Sequence, residues 1–363
     1  MASFAMATAP AGRKHGNALN PLNIEPGDKS FAKRARDRQA SLTKPPGSLG
    51  KLEELAVRLT AIQRTDYPTT RGRAIVIFAG DHGVTEEGVS PYPSEVTGQM
   101  LKNFASGGAA INAIAGVADT DVVVVDVGTL EPPSAGGDDA FHARSVRRGT
   151  RNMVNEPAMT KAELDEALDV GRSEAKLLDN TVLVGLGEMG IGNTTAASAM
   201  TAALTGLPVA RVTGAGTGLD SAGVRHKAEV IERALARHDT SEPLQALQSV
   251  GGLEIAALVG FCLQAAAQRM AIVVDGFITT AAIAVAWRLC PEIIDYAFFA
   301  HRSAEPGHAA LLEIMDVEPM LDLSLRLGEG TGAALAIPIL DAAVAAHNEM
   351  ATFESAGVSD KTP

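Results

Sequence analysis

Residues 182–194 run Val182-Leu183-Val184-Gly185-Leu186-Gly187-Glu188-Met189-Gly190-Ile191-Gly192-Asn193-Thr194, an apolar run that breaks into glycines and then into an Ala-rich stretch. A strand, a glycine loop and a helix in that order make half of a parallel β–α–β unit. Outward from it, similar short runs recur: Ala74-Ile75-Val76-Ile77-Phe78, Val122-Val123-Val124-Val125, Ile272-Val273-Val274 and a weaker one from Ile293 to Phe299. Continuous apolar runs separated by helical stretches imply a parallel sheet covered on both faces. The expected fold is therefore α/β, with a doubly wound, mostly parallel, Rossmann-like sheet. Most of these runs end in polar residues, Asp81-His82, Asp126, Glu188, Asp275 and His301. Ligands of open α/β sheets bind outside the carboxyl ends of the strands, so these ends are expected to converge on one cleft.

The glycine loop fits two better-known frames, both incompletely. Gly185-Leu186-Gly187-Glu188-Met189-Gly190 reads as G-x-G-x-x-G, but the acidic residue a dinucleotide site needs about 20 positions on is missing from residues 206–211. Gly187 to Thr194 reads as a P-loop with Asn193 where the lysine belongs. Without that point charge, and with Glu188 repelling a polyphosphate, what remains is a helix start suited to one phosphate. Gly190, Gly192, Asn193 and Thr194 are its expected binding residues. A second loop, Thr213-Gly214-Ala215-Gly216-Thr217-Gly218-Leu219-Asp220, offers Thr213, Gly214 and Gly216, with Lys227 to supply charge. In Leu327-Gly328-Glu329-Gly330-Thr331-Gly332, Glu329 stands alone among glycines and small residues. A partly desolvated carboxylate there would have the raised pKa of a general base; a solvated turn glutamate fits the motif equally.

The chain has 363 residues, 46% of them apolar and only 4% aromatic, with 36 glycines, which suits closely packed helices on a sheet. A net charge of −12 argues against a general nucleic-acid binder, which needs a basic footprint. The longest apolar run, Ile255 to Leu263, stops at Gln264, short of a bilayer span, and the amino terminus lacks an apolar signal core, so a soluble cytoplasmic protein is expected. Cys262 and Cys290 read as buried free thiols. Residues 1–29 show no periodicity and read as a disordered tail or an arm over a neighbouring subunit. Ser48 is the expected cap of a helix carrying Leu49, Leu52, Leu55, Leu59 and Ile62 on one face. Residues 131–150, with Arg144, Arg147 and Arg148 at their end, read as a solvated surface excursion.

Together these motifs resemble one family. Lys44-Pro45-Pro46-Gly47-Ser48-Leu49-Gly50, Phe78-Ala79-Gly80-Asp81-His82-Gly83-Val84, Gly107-Gly108-Ala109-Ala110-Ile111-Asn112, Gly187 to Thr195, Thr213 to Gly218, Val274-Asp275-Gly276-Phe277-Ile278, Glu305-Pro306-Gly307-His308 and Arg326 to Gly332 follow in the order found in nicotinate-nucleotide:dimethylbenzimidazole phosphoribosyltransferases. The resemblance runs from about Phe31 to Val358. It implies a homodimer with a small helical domain built from both ends of the chain: residues 30–70 and 333–363 around a large α/β domain of residues 71–332.

The resemblance also implies a reaction. Nicotinate mononucleotide and 5,6-dimethylbenzimidazole would give α-ribazole 5′-phosphate and nicotinate, by direct displacement at the ribose C1′, with no cofactor or metal. Glu329 would be the base and Glu188 a second carboxylate at the reacting ring. Ser90, Tyr92, Gln99 and Met100 would form the benzimidazole pocket, although Gln99 and Met100 also fit as packing residues. Other readings remain open at this level. A different benzimidazole, adenine or a phenol could be the acceptor. A non-catalytic nucleotide- or base-binding protein could share the fold. Asp81, His82, His301, Glu305 and His308 are ligand types for a metal hydrolase, though without compact ligand spacing. A transferase using a pyrophosphate-activated sugar would need paired acids ending a strand, and Asp119-Thr120-Asp121 precedes one instead.

Overall fold

Six strands hydrogen-bond into one all-parallel sheet, in a computed structural model that describes residues 22–132 and 140–359. They are β1 (Arg73–Gly80), β2 (Asp121–Gly128), β3 (Phe141–Ala143), β4 (Leu183–Met189), β5 (Ala271–Val274) and β6 (Ala297–Phe299), in the order β3-β2-β1-β4-β5-β6. That order reverses direction between β1 and β4, so the crevice for a ligand opens where those two strands end.

Alternation along β1 assigns the two faces. Phe78 meets Phe261 edge-on at 5.4 Å, on the side where helix Leu253–Ala267 crosses the sheet. That helix lies against helix Lys161–Leu177, and Gly171 and Gly260 leave no room for a side chain between the two backbones. Ile75 and Ile77 point to the opposite side, where Gly185 and Gly187 of β4 bring the sheet close to Ala333 and to the Glu329 carbonyl. Helix Thr331–Glu349 therefore covers the second face.

The same helix reaches the amino-terminal helices. Arg38, on helix Lys29–Ser41, donates to the His347 carbonyl at 2.7 Å and to the Asn348 carbonyl at 3.1 Å. At the start of the sheet, both oxygens of Asp341 accept from Arg73, at 2.7 and 2.8 Å. The position expected to divide large from small domain, 332/333, lies inside this continuous helix.

Several local expectations are corrected. Of the expected tail, residues 1–21 lie outside the described residues, but 22–28 pack on the body: Ile24 is buried, and the Gly27 amide donates to Asp295 at 2.8 Å. Ser48 does not cap a helix; helix Lys51–Gln63 starts from Gly50 with no side-chain cap. Residues 293–295 form a tight turn, Pro291–Asp295, because Pro291 fixes the backbone there, and the strand begins only at Ala297. Residues 131–150 are not only an excursion. They supply the short edge strand β3, and Arg144 pairs with buried Glu174 at 2.7 Å. Cys262 is buried as expected, whereas Cys290 is only half-buried and donates to Glu292 at 3.2 Å; neither is in a disulfide. Among the described residues no helix is long and apolar enough to cross a membrane.

Candidate active site

All the polar strand ends gather at the carboxyl edge of the sheet, but they divide into structural and available groups. Asp126 spends its oxygens on the Gly128 and Thr129 amides and the Thr129 hydroxyl, at 2.8–3.0 Å, which closes its own strand end. Asp81 accepts from the Thr97 hydroxyl at 2.6 Å and the Leu130 amide at 2.8 Å, and Thr97 in turn accepts from the Ile191 amide at 3.1 Å. Asp81 thus fixes the glycine loop after β4 from the neighbouring strand. His82 meets Glu254 at 2.8 Å with both side chains buried. Burial disfavours the imidazolium, but Glu254 and, to a smaller extent, Asp81 hold the His82 pKa above its ordinary value.

A group of carboxylates stands at the ends of β4 and β5. Glu188 is buried within β4 and accepts from the Asn193 side-chain amide. Burial, then the charges of Asp275 and Glu254, push its pKa up to about 8. Asp275, just past β5, accepts from the amides of Gly330, Gly332 and Ala333 at 3.2, 2.6 and 3.1 Å; burial lifts its pKa to about 7 against the pull of those amides. Glu329 sits in the left-handed region, φ 65°, between Gly328 at 87° and Gly330 at 86°. Its side chain is only 6% exposed, and one oxygen, Oε2, has no hydrogen-bond partner among the described residues. Burial raises its pKa, opposed by a hydrogen bond from the Ile111 backbone and reinforced by Asp275. A side chain at Gly328 would strike Glu188, and the charge of Glu329 adds to the rise in the Glu188 pKa, so the turn brings the two glutamates near each other.

The two glycine loops meet at Lys227. Its ammonium donates to the Thr194 hydroxyl at 2.7 Å and to the Gly214 carbonyl at 3.5 Å, and Gly216 approaches Thr194 too closely to carry a side chain. Lys227 is fully buried; that burial lowers its pKa to about 8 despite the nearby charge of Glu305. Gly192, φ 96°, starts helix Asn193–Thr205 without a side-chain cap. The expected row of free amides is shorter than the sequence implied. Ile191, Asn193 and Thr195 spend theirs on Thr97, Gly190 and Gly192, and Gly216 donates to Glu305 at 2.9 Å. Thr213 donates its hydroxyl to the Val209 carbonyl at 2.8 Å rather than toward the cleft.

Beside this edge opens a cleft of about 820 Å³ that reaches His82. Ser90 and Tyr92 line it, facing Arg147 and Arg148 from the segment after β3. Gln99 is exposed on helix Glu95–Ala105 and Met100 packs against the core; neither lines this cleft. The metal-ligand types do not assemble. His308 is held by Thr280 at 3.0 Å and the Ser303 amide at 2.8 Å, His301 lies 3.8 Å from Asp275, and no group of three such side chains among the described residues is placed to hold an ion.

A phosphoribosyltransferase family model matches residues 24–358. Enzymes named nicotinate-nucleotide–dimethylbenzimidazole phosphoribosyltransferase from Pseudomonas putida strain W619 and Xanthomonas euvesicatoria are each 52% identical, over 93% and 92% of this chain and 97% and 96% of theirs. The chain belongs to the nicotinate-nucleotide–dimethylbenzimidazole phosphoribosyltransferase family. Its fold agrees: the crystal structure of CobT from Thermus thermophilus superposes with a TM-score of 0.87 at 46% identity, over 92% of this chain and all of that one.

Two groups at this edge of the sheet were missed or undervalued in the sequence. Asp275 was visible only as a strand end, because its three amide partners lie more than fifty residues away. Glu254 was legible as a lone charge at the start of an otherwise apolar helix.

Proposed function

We propose that this chain transfers the phosphoribosyl group of nicotinate mononucleotide to 5,6-dimethylbenzimidazole, releasing nicotinate and α-ribazole 5′-phosphate for the nucleotide loop of cobalamin. The observation that carries the mechanism is the unpartnered oxygen of buried Glu329. A desolvated carboxylate with a free lone pair is a competent base near neutral pH. It takes the N–H proton of the benzimidazole as the other ring nitrogen attacks C1′. The bond to the pyridinium nitrogen breaks, nicotinate leaves without needing a proton, and the configuration at C1′ inverts from β to α. Glu188, tied to Asn193, is the second carboxylate at the reacting centre; the cationic pyridinium of the bound nucleotide favours its charged form, in which it offsets positive charge developing on the sugar.

In this reading the 5′-phosphate binds where the two loops meet, at Gly190, Gly192, Asn193 and Thr194 and at Thr213, Gly214 and Gly216. Lys227 is buried, so it acts through Thr194: by donating to that hydroxyl oxygen it leaves the hydroxyl proton free for the phosphate. Ser90 and Tyr92 border the acceptor base, and Gln99 and Met100, outside that cleft in the free protein, would reach the base only from the following helix. The protein works as a cytoplasmic homodimer without metal or cofactor. Purified protein given both substrates should release nicotinate and form the α-nucleotide, resolved by chromatography. No nicotinate release sinks the proposal, and faster turnover with adenine or a phenol in a mixed-base competition reassigns the acceptor.

A further inference from the structure

We infer that Asp275 is a positioning residue for the transfer, holding the turn that carries Glu329. The inference rests on Glu329 being the base, as proposed above. Three consecutive residues, Gly328, Glu329 and Gly330, adopt left-handed backbone, with φ of 87°, 65° and 86°. Two of them are glycines, for which this costs little; Glu329 is not, and such a residue persists there only when its surroundings over-determine it.

Thr331 closes the turn from within, donating its amide and hydroxyl to the Gly328 carbonyl at 3.1 and 2.8 Å, and Asp275 holds it from outside. Oδ2 accepts from the amide of Gly330, directly after Glu329, and Oδ1 accepts from Gly332 and Ala333. Those amides open helix Thr331–Glu349, where a carboxylate also complements the helix dipole. The fit is tight: a side chain on Gly332 would collide with both Asp275 and His301. Asp275 lies at the end of β5, a strand buried along its whole length, so the turn is referenced to the sheet rather than to the segment that leads into it. It does not touch the reacting atoms in this account; it sets where Glu329 Oε2 stands.

The test is a set of four proteins: wild type, Asp275→Asn, Glu329→Gln and the double variant, each with kcat, KM and melting temperature measured. The expected result for Asp275→Asn is a fall in kcat of about 100-fold, the scale of a misplacement near 1 Å, with KM for nicotinate mononucleotide nearly unchanged. In the Glu329→Gln background the same change should cost almost nothing more, because residues acting as a unit are not additive. Full additivity, or wild-type kcat in Asp275→Asn while Glu329→Gln is inactive, overturns the positioning role and leaves the base assignment standing. An active Glu329→Gln instead overturns the base assignment itself. If Asp275→Asn does not fold, Asp275→Glu, which keeps the charge and displaces it by one methylene, carries the same cycle with the same expected outcomes.

Discussion

The two ends of the candidate site are built on opposite terms. Around Glu188, Asp275 and Glu329 the protein buries carboxylates together, lifts the pKa of each and leaves an oxygen of Glu329 unpartnered. Around Lys227 the cation is bonded to Thr194 and Gly214, and the loop amide of Gly216 is already taken by Glu305. Glu305 keeps one unpartnered oxygen there, but beside a cation. The first end holds reactive capacity that its fold could otherwise have neutralised. The second is preorganised, its charge and geometry settled before a ligand arrives. The contrast supports the proposal that chemistry occurs at the first and phosphate binding at the second.

Substitutions should separate the two accordingly. The largest effect is expected from Glu329→Gln, which keeps the shape of the side chain and removes its basicity: kcat should fall by about 10²–10⁴-fold with nucleotide binding retained. Near wild-type turnover would dissolve the contrast at once. Lys227→Ala should act on the other end, raising KM for nicotinate mononucleotide by about 2–10-fold, the value of the Thr194 hydroxyl hydrogen bond of about 0.5–1.5 kcal/mol that Lys227 orients, with little change in affinity for the free base. Equal weakening of both substrates would mean that the joined loops had collapsed.

A smaller effect should appear in stability against pH. Glu188 holds its proton up to about 8 in the folded protein, against an ordinary value of 4.5. Between those values the folded state binds a proton that the unfolded chain has lost, so this carboxyl makes stability decline as pH rises through that window. Asp275, raised to about 7, contributes in the same direction. Melting temperatures of Glu188→Gln should therefore decline less than wild type between pH about 5 and about 8; parallel profiles would show that Glu188 titrates normally. The smallest effect, none, is expected on ATP. Asn193→Lys restores a P-loop lysine, yet the new cation would pair with Glu188, the present partner of Asn193. Titration calorimetry should find the variant without tight ATP binding and impaired for the mononucleotide. Tight ATP binding by the wild type would overturn the single-phosphate reading of the loop.

Most of the sheet was legible because buried parallel strands leave continuous apolar runs, and β1, β2, β4 and β5 all carry one. Strand β3 was not, since three residues at an edge, Phe141–Ala143, leave no pattern. Glu329 announced itself by its isolation among glycines. The meeting of Thr194, Gly216 and Lys227 could be expected only as two separate loops, because their joining depends on how helix Ser221–Arg237 folds back. Glu305 was read as a metal-ligand type, and its use as an acceptor for the Gly216 amide has no local sequence signature. Gln99 and Met100 show the limit from the other side: helical spacing marks a face without saying which cavity that face meets.

The helix that leaves the Glu329 turn ends against helix Lys29–Ser41, through Arg38 and the carbonyls of His347 and Asn348. That closure has a consequence for synthesis. A chain emerging from the ribosome completes β1 to β6 before the turn and its helix appear, and contacts as distant in sequence as those of Arg38 with His347 and Asn348 form late. Nascent or carboxyl-truncated chains should thus present the carboxyl edge of the sheet without Glu329. The proposed transferase activity should then require the segment that carries Glu329 and its helix.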